Sequence, residues 1–400
     1  MNNTNFDDLD DICPLAALLK DQAGFGILLW LAIIFSLTAI VLNILFARIV
    51  WRFTVYHINL RVLMVNLCAV IIWMCTGRLI KSAYIFFSLY AASDPCSFLV
   101  IRLSACKAIS TLAVTHPSTA VLLGSLGVGL ERTYGLIRYR AYHKRAKRSL
   151  WLSMSILVFL VWAPSLAPQL YSALAHPVNE SFPRQIPLCL NLFTFRPHEA
   201  RVMLAAFSAS QLVSVFIWTL VYSLSRRLLT KISINRAQQS LAARFQLSQN
   251  FGVIRTLSPW VAAHFIFHTS ILALQWLIAE RQQPGMDFSS RVTLMYAVYM
   301  IQLIYAISFP VICVSRSIVL RKRLSKMLIA LKKLLGFGSR ANIIQPDMAA
   351  RVTEVEKEGA TSNGFHMAEI KSISASAFTT PDKIHVKKRL QRIHVFSTLE

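Results

Sequence analysis

Three constellations in this sequence have residue types and spacing suited to chemistry. Glu131-Arg132-Thr133-Tyr134 sets a carboxylate beside a guanidinium at the end of an apolar stretch, and charge within such a stretch is costly enough to mark function by default. Glu131 can hold Arg132 in a local pair, which Arg132 leaves when a neighbouring helix moves and a partner docks; the plainer alternative is an interfacial arginine reaching for headgroups. His264 and His268 stand four apart, one turn after Trp260, so the three share one helix stripe. They suit the lining of a ligand cavity or a protonation sensor, although histidines so placed more commonly hydrogen-bond to neighbouring helices. Arg78 and Lys81, three apart, can attract an anionic ligand, but the expected arrangement is that both snorkel to the nearer interface. Two histidines without further ligands make no metal site. With no paired carboxylates and no Ser/His set at supportive spacing, no cofactor, metal or enzymatic activity is expected.

The elements that must position these residues follow from composition. The chain has 400 residues, 55% of them hydrophobic and 15% charged, yet carries 42 Lys+Arg against 18 Asp+Glu, a net charge of +24. Soluble domains carry about a quarter charged residues, and the mean hydropathy of +0.53 requires a non-aqueous solvent. Apolar windows over roughly 26–47, 62–84, 106–130, 150–172, 203–224, 257–279 and 292–315 are each long enough to cross a bilayer as a helix. The expected fold is therefore an all-α membrane protein, a bundle of seven transmembrane helices. A soluble enzyme, a disordered chain and a disulfide scaffold are excluded. His116-Pro117, Pro259 and Pro310 are kink candidates, and Gly124, Gly127 and Gly129, with no strand before them, read as close helix packing rather than a phosphate loop.

Cations gather on alternate connections: Arg48, Arg52 and Arg61; Arg138 to Arg148; Arg226 to Arg244; and Arg316 onward. The positive-inside rule then places the N-terminus outside and the C-terminus inside. The acidic Asp7, Asp8, Asp10 and Asp11 precede the first span, so the expectation is an uncleaved helix that directs its own insertion. Both glycosylation sequons, at Asn2 and Asn179, fall on the outer side. Cys13, Cys96, Cys106 and Cys189 are also outer, where disulfides persist. A Cys106–Cys189 bridge would hold the loop after span four over the bundle, with Cys96–Cys189 as the competing pairing. The dispersed cations suit anionic membrane lipids and have no organisation that would bind nucleic acid.

Residues 317–335 alternate apolar and basic at helical spacing, the pattern of an amphipathic helix on the cytoplasmic interface. The expected organisation is an extracellular N-terminus over 1–24, the bundle over 25–316, this helix over 317–335, and a largely disordered cytoplasmic tail over 336–400.

Seven spans, Glu131-Arg132-Thr133-Tyr134 at the inner end of span three, Asn43, Pro310 and a basic helix after span seven together resemble a rhodopsin-like G-protein-coupled receptor. Ile71 stands where that pattern has Asp, span six lacks Cys-Trp-x-Pro, and Ser308-Phe309-Pro310 replaces Asn-Pro, so the sodium site and toggle are not carried over. Leu241-Ala-Ala-Arg244-Phe245-Gln246-Leu-Ser-Gln249-Asn250, with Leu130 to Gly135 and Asp94-Pro95-Cys96, resembles the nematode serpentine chemoreceptors of class AB, or the similar class A. The resemblance covers roughly residues 20–335. It implies a plasma-membrane receptor in sensory neurons that binds an environmental small molecule and signals to a heterotrimeric G protein. Glu131, Arg132, Tyr134 and Arg244 would serve coupling, and His116, His264, His268 and Trp276 are expected to contribute to the ligand site. The rival readings are an inverted seven-span ligand-gated cation channel, which needs the opposite topology, and a transporter, which would show an internal repeat.

Overall fold

A computed structural model describes residues 19–52, 56–91, 101–102, 115–137, 154–166, 185–186, 197–234, 241–280 and 288–334. They form α1 (Ala23–Arg52), α2 (Ile58–Tyr90), β1 (Ile101–Arg102), α3 (His116–Ile137), α4 (helical over 154–166 around a π-helical Ile156–Trp162), β2 (Gln185–Ile186), α5 (Pro197–Ile234), α6 (Leu241–Glu280), α7 (Phe288–Arg316) and α8 (Ile318–Leu334). The architecture is the expected all-α one. Among the described residues its one sheet is a two-residue antiparallel ladder, with Ile101 opposite Ile186 and Arg102 opposite Gln185.

Among the described residues five helical stretches are long and apolar enough to cross a membrane: Gly24–Arg52, Ile58–Tyr90, Arg201–Thr230, Asn250–Ile278 and Val292–Arg316. The other two expected spans, 106–130 and 150–172, correspond to α3 and α4, and parts of both lie outside the described residues. In α1 the sequence shows why a helix forms here without a polar face. Phe25, Leu29, Ala32, Ser36, Ala39, Asn43, Phe46 and Val50 are buried at three- and four-residue steps. Ile27, Trp30, Ile34, Leu37, Val41 and Ile44 are exposed at the same steps on the other side. Two apolar stripes on one helix mean that one faces protein and the other faces lipid.

Contacts between named residues fix the direction of each helix. Gly26 and Trp30 of α1 meet Tyr90 and Phe86 of α2, so the two run antiparallel. Leu67 and Met74 of α2 meet Gly124 and Ser118 of α3, again antiparallel. Gly127 and His116 of α3 meet Ile156 and Trp162 of α4 in the same sense. Ser125 and Gly129 of α3 meet Ser214 and Trp218 of α5, which is therefore parallel to it. Ser208 and Trp218 of α5 face Trp276 and Trp260 of α6. Phe25 and Phe46 of α1 stack edge-on against Tyr296 and Phe309 of α7, running parallel. Seven helices thus alternate in direction, and α7 closes back on α1.

At that closure Asn43 Nδ2 donates to the carbonyls of Ala39 and Ala306, at 2.8 and 2.9 Å. The glycines of α3 do what close packing requires. An added Cβ would stand 3.2 Å from Leu67 at Gly124, 3.2 Å from Ile156 at Gly127 and 3.1 Å from Ile217 at Gly129, so α3 touches α2, α4 and α5 on three faces.

The helices outrun their hydropathy windows. The segment between spans five and six reads as a loop in hydropathy, yet α5 runs on to Ile234 and α6 begins at Leu241. Arg226, Arg227, Arg244 and Gln246 are good helix formers, so the helix continues after the apolar run stops. Two compact units make up the chain, Met1–Ser317 and Ile318–Glu400; in the second, α8 carries its basic residues from Arg321 to Lys333. Asn2, Asn179, Cys13, Cys96, Cys106, Cys189 and residues 336–400 lie outside the described residues.

Candidate functional site

Two polar assemblies lie along the axis of the bundle. At one end Arg132 Nε and Nη2 donate to the two carboxylate oxygens of Glu131 at 2.5 and 2.6 Å, a bidentate pair with both side chains buried. Adjacent residues on a helix point about 100° apart, so the arginine must bend back along α3 to make this fork. Arg132 Nη1 then donates to Asn250 Oδ1 on α6 at 3.4 Å, and Asn250 Nδ2 donates to the Gly135 carbonyl at 3.5 Å. A buried ion pair is worthwhile only when its remaining donors are met, and Asn250 meets one of them from another helix. Tyr56, between α1 and α2, is buried near the same end; burial pushes its phenol above the ordinary range, Cys313 adds to the rise, and Arg132 opposes it.

Of the four residues expected to serve this end, Glu131 and Arg132 come together. Tyr134 is turned to the outside and is 37% exposed. Arg244 lies in the first turns of α6, with its side chain outside the described residues. Asn250 closes the motif that suggested Arg244 and makes the contact to α3. The signal for it was in the sequence, as a polar amide at the start of an apolar run.

The second assembly sits mid-bundle around His264. Its Nε2 is 3.0 Å from Ser125 Oγ on α3, and its Nδ1 is 3.0 Å from the Tyr305 hydroxyl on α7. Ser125 Oγ already donates to the Leu122 carbonyl at 2.8 Å, so it accepts from His264 Nε2–H. Trp260 Nε1 donates to the Tyr305 oxygen at 3.4 Å, so the Tyr305 hydroxyl proton is free to donate to His264 Nδ1. The network therefore assigns a neutral imidazole with its proton on Nε2. Ser214 on α5 stands 3.3 Å from Ser125 Oγ, and Trp218 Nε1 donates to the Ser125 carbonyl at 3.3 Å. One histidine thus joins α3, α5, α6 and α7. The His268 ring lies 4.2 Å from it at a tilt of 41° and 5.2 Å from the Tyr305 ring, with its own Nε2 buried and unpartnered among the described residues.

The four expected ligand residues are not gathered in one place. His264 and His268 adjoin. His116 is buried between Trp73 and Trp162, at 5.2 and 5.4 Å, on the α2–α3–α4 side. Trp276 Nε1 donates to Ser208 Oγ at 3.4 Å across the α5–α6 seam. Sequence reasoning passed over Ser125, Ser214 and Tyr305, since single hydroxyls in apolar helices are common and only their convergence marks them. Arg78 and Lys81 depart from expectation. Neither snorkels: they are 2% and 8% exposed and turn inward onto Tyr299 of α7. Among the described residues no cluster of three or more His, Cys, Asp or Glu is placed to hold a metal ion.

The profile of the serpentine type seven-transmembrane G-protein-coupled receptor class ab chemoreceptors matches residues 13–333. The chain belongs to that family. It contains both Arg132 and Asn250 within the matched region, and the family is one of receptors that pass the membrane several times. The chain is 25% identical over 272 residues to serpentine receptor class alpha/beta-14 of Caenorhabditis elegans, a stretch covering 66% of each chain. The match thus spans just under two thirds of that relative's length.

Proposed function

We propose that this serpentine receptor is a chemosensory G-protein-coupled receptor of the plasma membrane in sensory neurons. Its N-terminus is extracellular and its C-terminus cytoplasmic. A small molecule binds among the outer helix halves and favours an arrangement in which the inner end of α6 moves away from α3. Arg132 then leaves Asn250 and, with Tyr134, Arg244 and the basic connections, meets a heterotrimeric G protein. The observation that carries this reading is the bridge from the buried Glu131–Arg132 pair to Asn250 on α6. A ligand shifts such an equilibrium only by its differential affinity for the two arrangements, and the His264 network, which ties α6 to three other helices, is where a change above reaches α6.

The outer features fit the same topology. Glycans at Asn2 and Asn179 and a Cys106–Cys189 bridge, or the alternative Cys96–Cys189, belong on the extracellular side; the β1–β2 ladder, which joins the segment before α3 to the loop after α4, supports a tie of that kind. On its sequence pattern α8 lies against anionic lipid at the cytoplasmic face, followed by the tail over 336–400. Ligand contacts from His116, His264, His268 and Trp276 complete the reading, and no catalytic step is assigned.

The test is a screen of small molecules against the chain in cells with a G-protein readout, with Arg132→Ala as the control. Ligand-dependent signal that vanishes in Arg132→Ala at equal surface level is the expected result. A ligand-gated current that persists in Arg132→Ala would replace the reading with a channel.

A further inference from the structure

Arg78 and Lys81 stand one turn apart on α2, toward the end of the bundle opposite Glu131–Arg132, and both are buried. Arg78 Nη1 donates to the Tyr299 carbonyl at 3.0 Å, and its guanidinium lies 4.8 Å from the centre of the Tyr299 ring. Lys81 Nζ donates to the Tyr299 hydroxyl at 3.5 Å and lies 5.3 Å from the same ring. A single tyrosine therefore braces two cations without neutralising either. Among the described residues neither has a carboxylate partner, and α1, α2 and α7, which pack together here, contain no Asp or Glu at all.

Two buried cations with no carboxylate partner among the described residues repel each other in a low-dielectric place. What remains open on Arg78 is specific. Nε and Nη2 are both buried without a hydrogen-bond partner among the described residues. These two nitrogens form the side edge of the guanidinium, whose parallel N–H groups match the two oxygens of a carboxylate. The third nitrogen, Nη1, is the one already spent on Tyr299, which holds the fork's direction. Phe25, Leu29, Ile85, Tyr296 and Ile271 line the apolar core around this end of α1, α2, α6 and α7.

We propose that this is the charged half of the ligand site, and that the natural ligand is a small organic anion whose carboxylate takes the Nε/Nη2 edge of Arg78, with Lys81 beside it and its apolar part against the neighbouring core. The inference rests on the receptor reading above and names the chemical class of its ligand. An oxyanion held here contacts α2 directly and α7 through Tyr299, three residues from Gln302 and six from Tyr305 in the His264 network, so charge neutralisation is felt by α7.

The experiment uses the purified full chain in nanodiscs of phosphatidylcholine, at constant ionic strength, and reads the thermal unfolding midpoint. Benzoate and hexanoate are titrated beside their methyl esters. The carboxylates are expected to raise the midpoint saturably and the esters to leave it in place. Arg78→Lys, which keeps the charge and loses the fork, is expected to weaken the apparent affinity about tenfold or more. Lys81→Met weakens it less, and Arg78→Gln removes the shift while raising the midpoint of the unliganded protein. Equal responses of wild type, Arg78→Lys and Arg78→Gln overturn the proposal, as does the absence of any carboxylate shift up to the solubility limit. A shift that appears only when phosphatidylglycerol replaces phosphatidylcholine overturns it in favour of a lipid phosphate. No G protein enters this measurement, so a missing shift leaves the signalling reading standing and a missing signal leaves the shift standing.

Discussion

Arg132 on α3 reaches Asn250 on α6 across 3.4 Å while both of its other donor nitrogens are held by Glu131. On the proposed receptor reading, the helix that moves for a partner to enter is fastened here by a long hydrogen bond, and the charge beneath it stays paired with Glu131 when that bond opens. This is a light latch, because the costly part of the pair, the buried ions, is neutralised within α3 itself.

Asn250→Ala should therefore release α6 without exposing an unpaired charge. A bond this long contributes about 1 kcal/mol, below the roughly 1.5–3 kcal/mol of bonds to charged groups, so the open arrangement gains about fivefold in population. Basal G-protein activity measured without ligand should rise by that order, with surface expression unchanged. Activity equal to wild type would mean that the bond does not hold α6.

Glu131→Gln acts on the other partner. Removing the carboxylate leaves Arg132 buried and unneutralised, a change of roughly 3–5 kcal/mol for a fully buried pair. The expected outcome is a marked fall in the thermal midpoint of the purified protein, larger than that of Asn250→Ala. A smaller fall would show that water reaches this end.

His264→Ala leaves the Tyr305 hydroxyl and Ser125 Oγ without the ring that joins them, at a cost of about 1–3 kcal/mol for the groups stranded. His264→Gln, which keeps a donor and an acceptor, should recover part of the loss. Thermal unfolding of both variants beside wild type checks the order, and equal midpoints for the two would count against a network role.

Glycine positions offer a paired comparison. Gly129→Leu drives a branched side chain into Ile217 and Trp218, which stand only 3.1 and 3.2 Å from where its Cβ would sit, and overpacking of this kind costs about 1–3 kcal/mol. Gly252→Ala meets nothing within 4 Å on the exposed side of α6 and should be neutral or stabilise by roughly 0.5–1 kcal/mol. Expression level and midpoint should separate the two in that order.

Surface labelling of N- and C-terminal tags tests the orientation. Label at the N-terminus of intact cells, with the C-terminus reached only after permeabilisation, is expected. The reverse would move Glu131–Arg132 off the face proposed to meet the G protein and leave the inverted channel as the better reading.

The sequence by itself determined the apolar runs, the place of Glu131–Arg132 at the end of one of them, the shared stripe of Trp260, His264 and His268, and the three packing glycines of α3. Each is a local property: hydropathy sums over neighbours in the chain, and helical periodicity assigns residues to a common face. It did not determine which face turns inward. In α1 both stripes are apolar, so only contact with α2 and α7 shows that Asn43 points to Ala306 and Trp30 to the outside. The same indeterminacy misplaced Arg78 and Lys81. A long basic side chain near a helix end satisfies the rules for snorkelling, and what overrides them is Tyr299, more than 200 residues away, offering a carbonyl, a hydroxyl and a ring face. Ser125, Ser214 and Tyr305 were likewise invisible one at a time. Hydrogen bonds between helices depend on how each helix is rotated about its axis, and that rotation is set by packing across the whole bundle, which no single stretch of sequence contains.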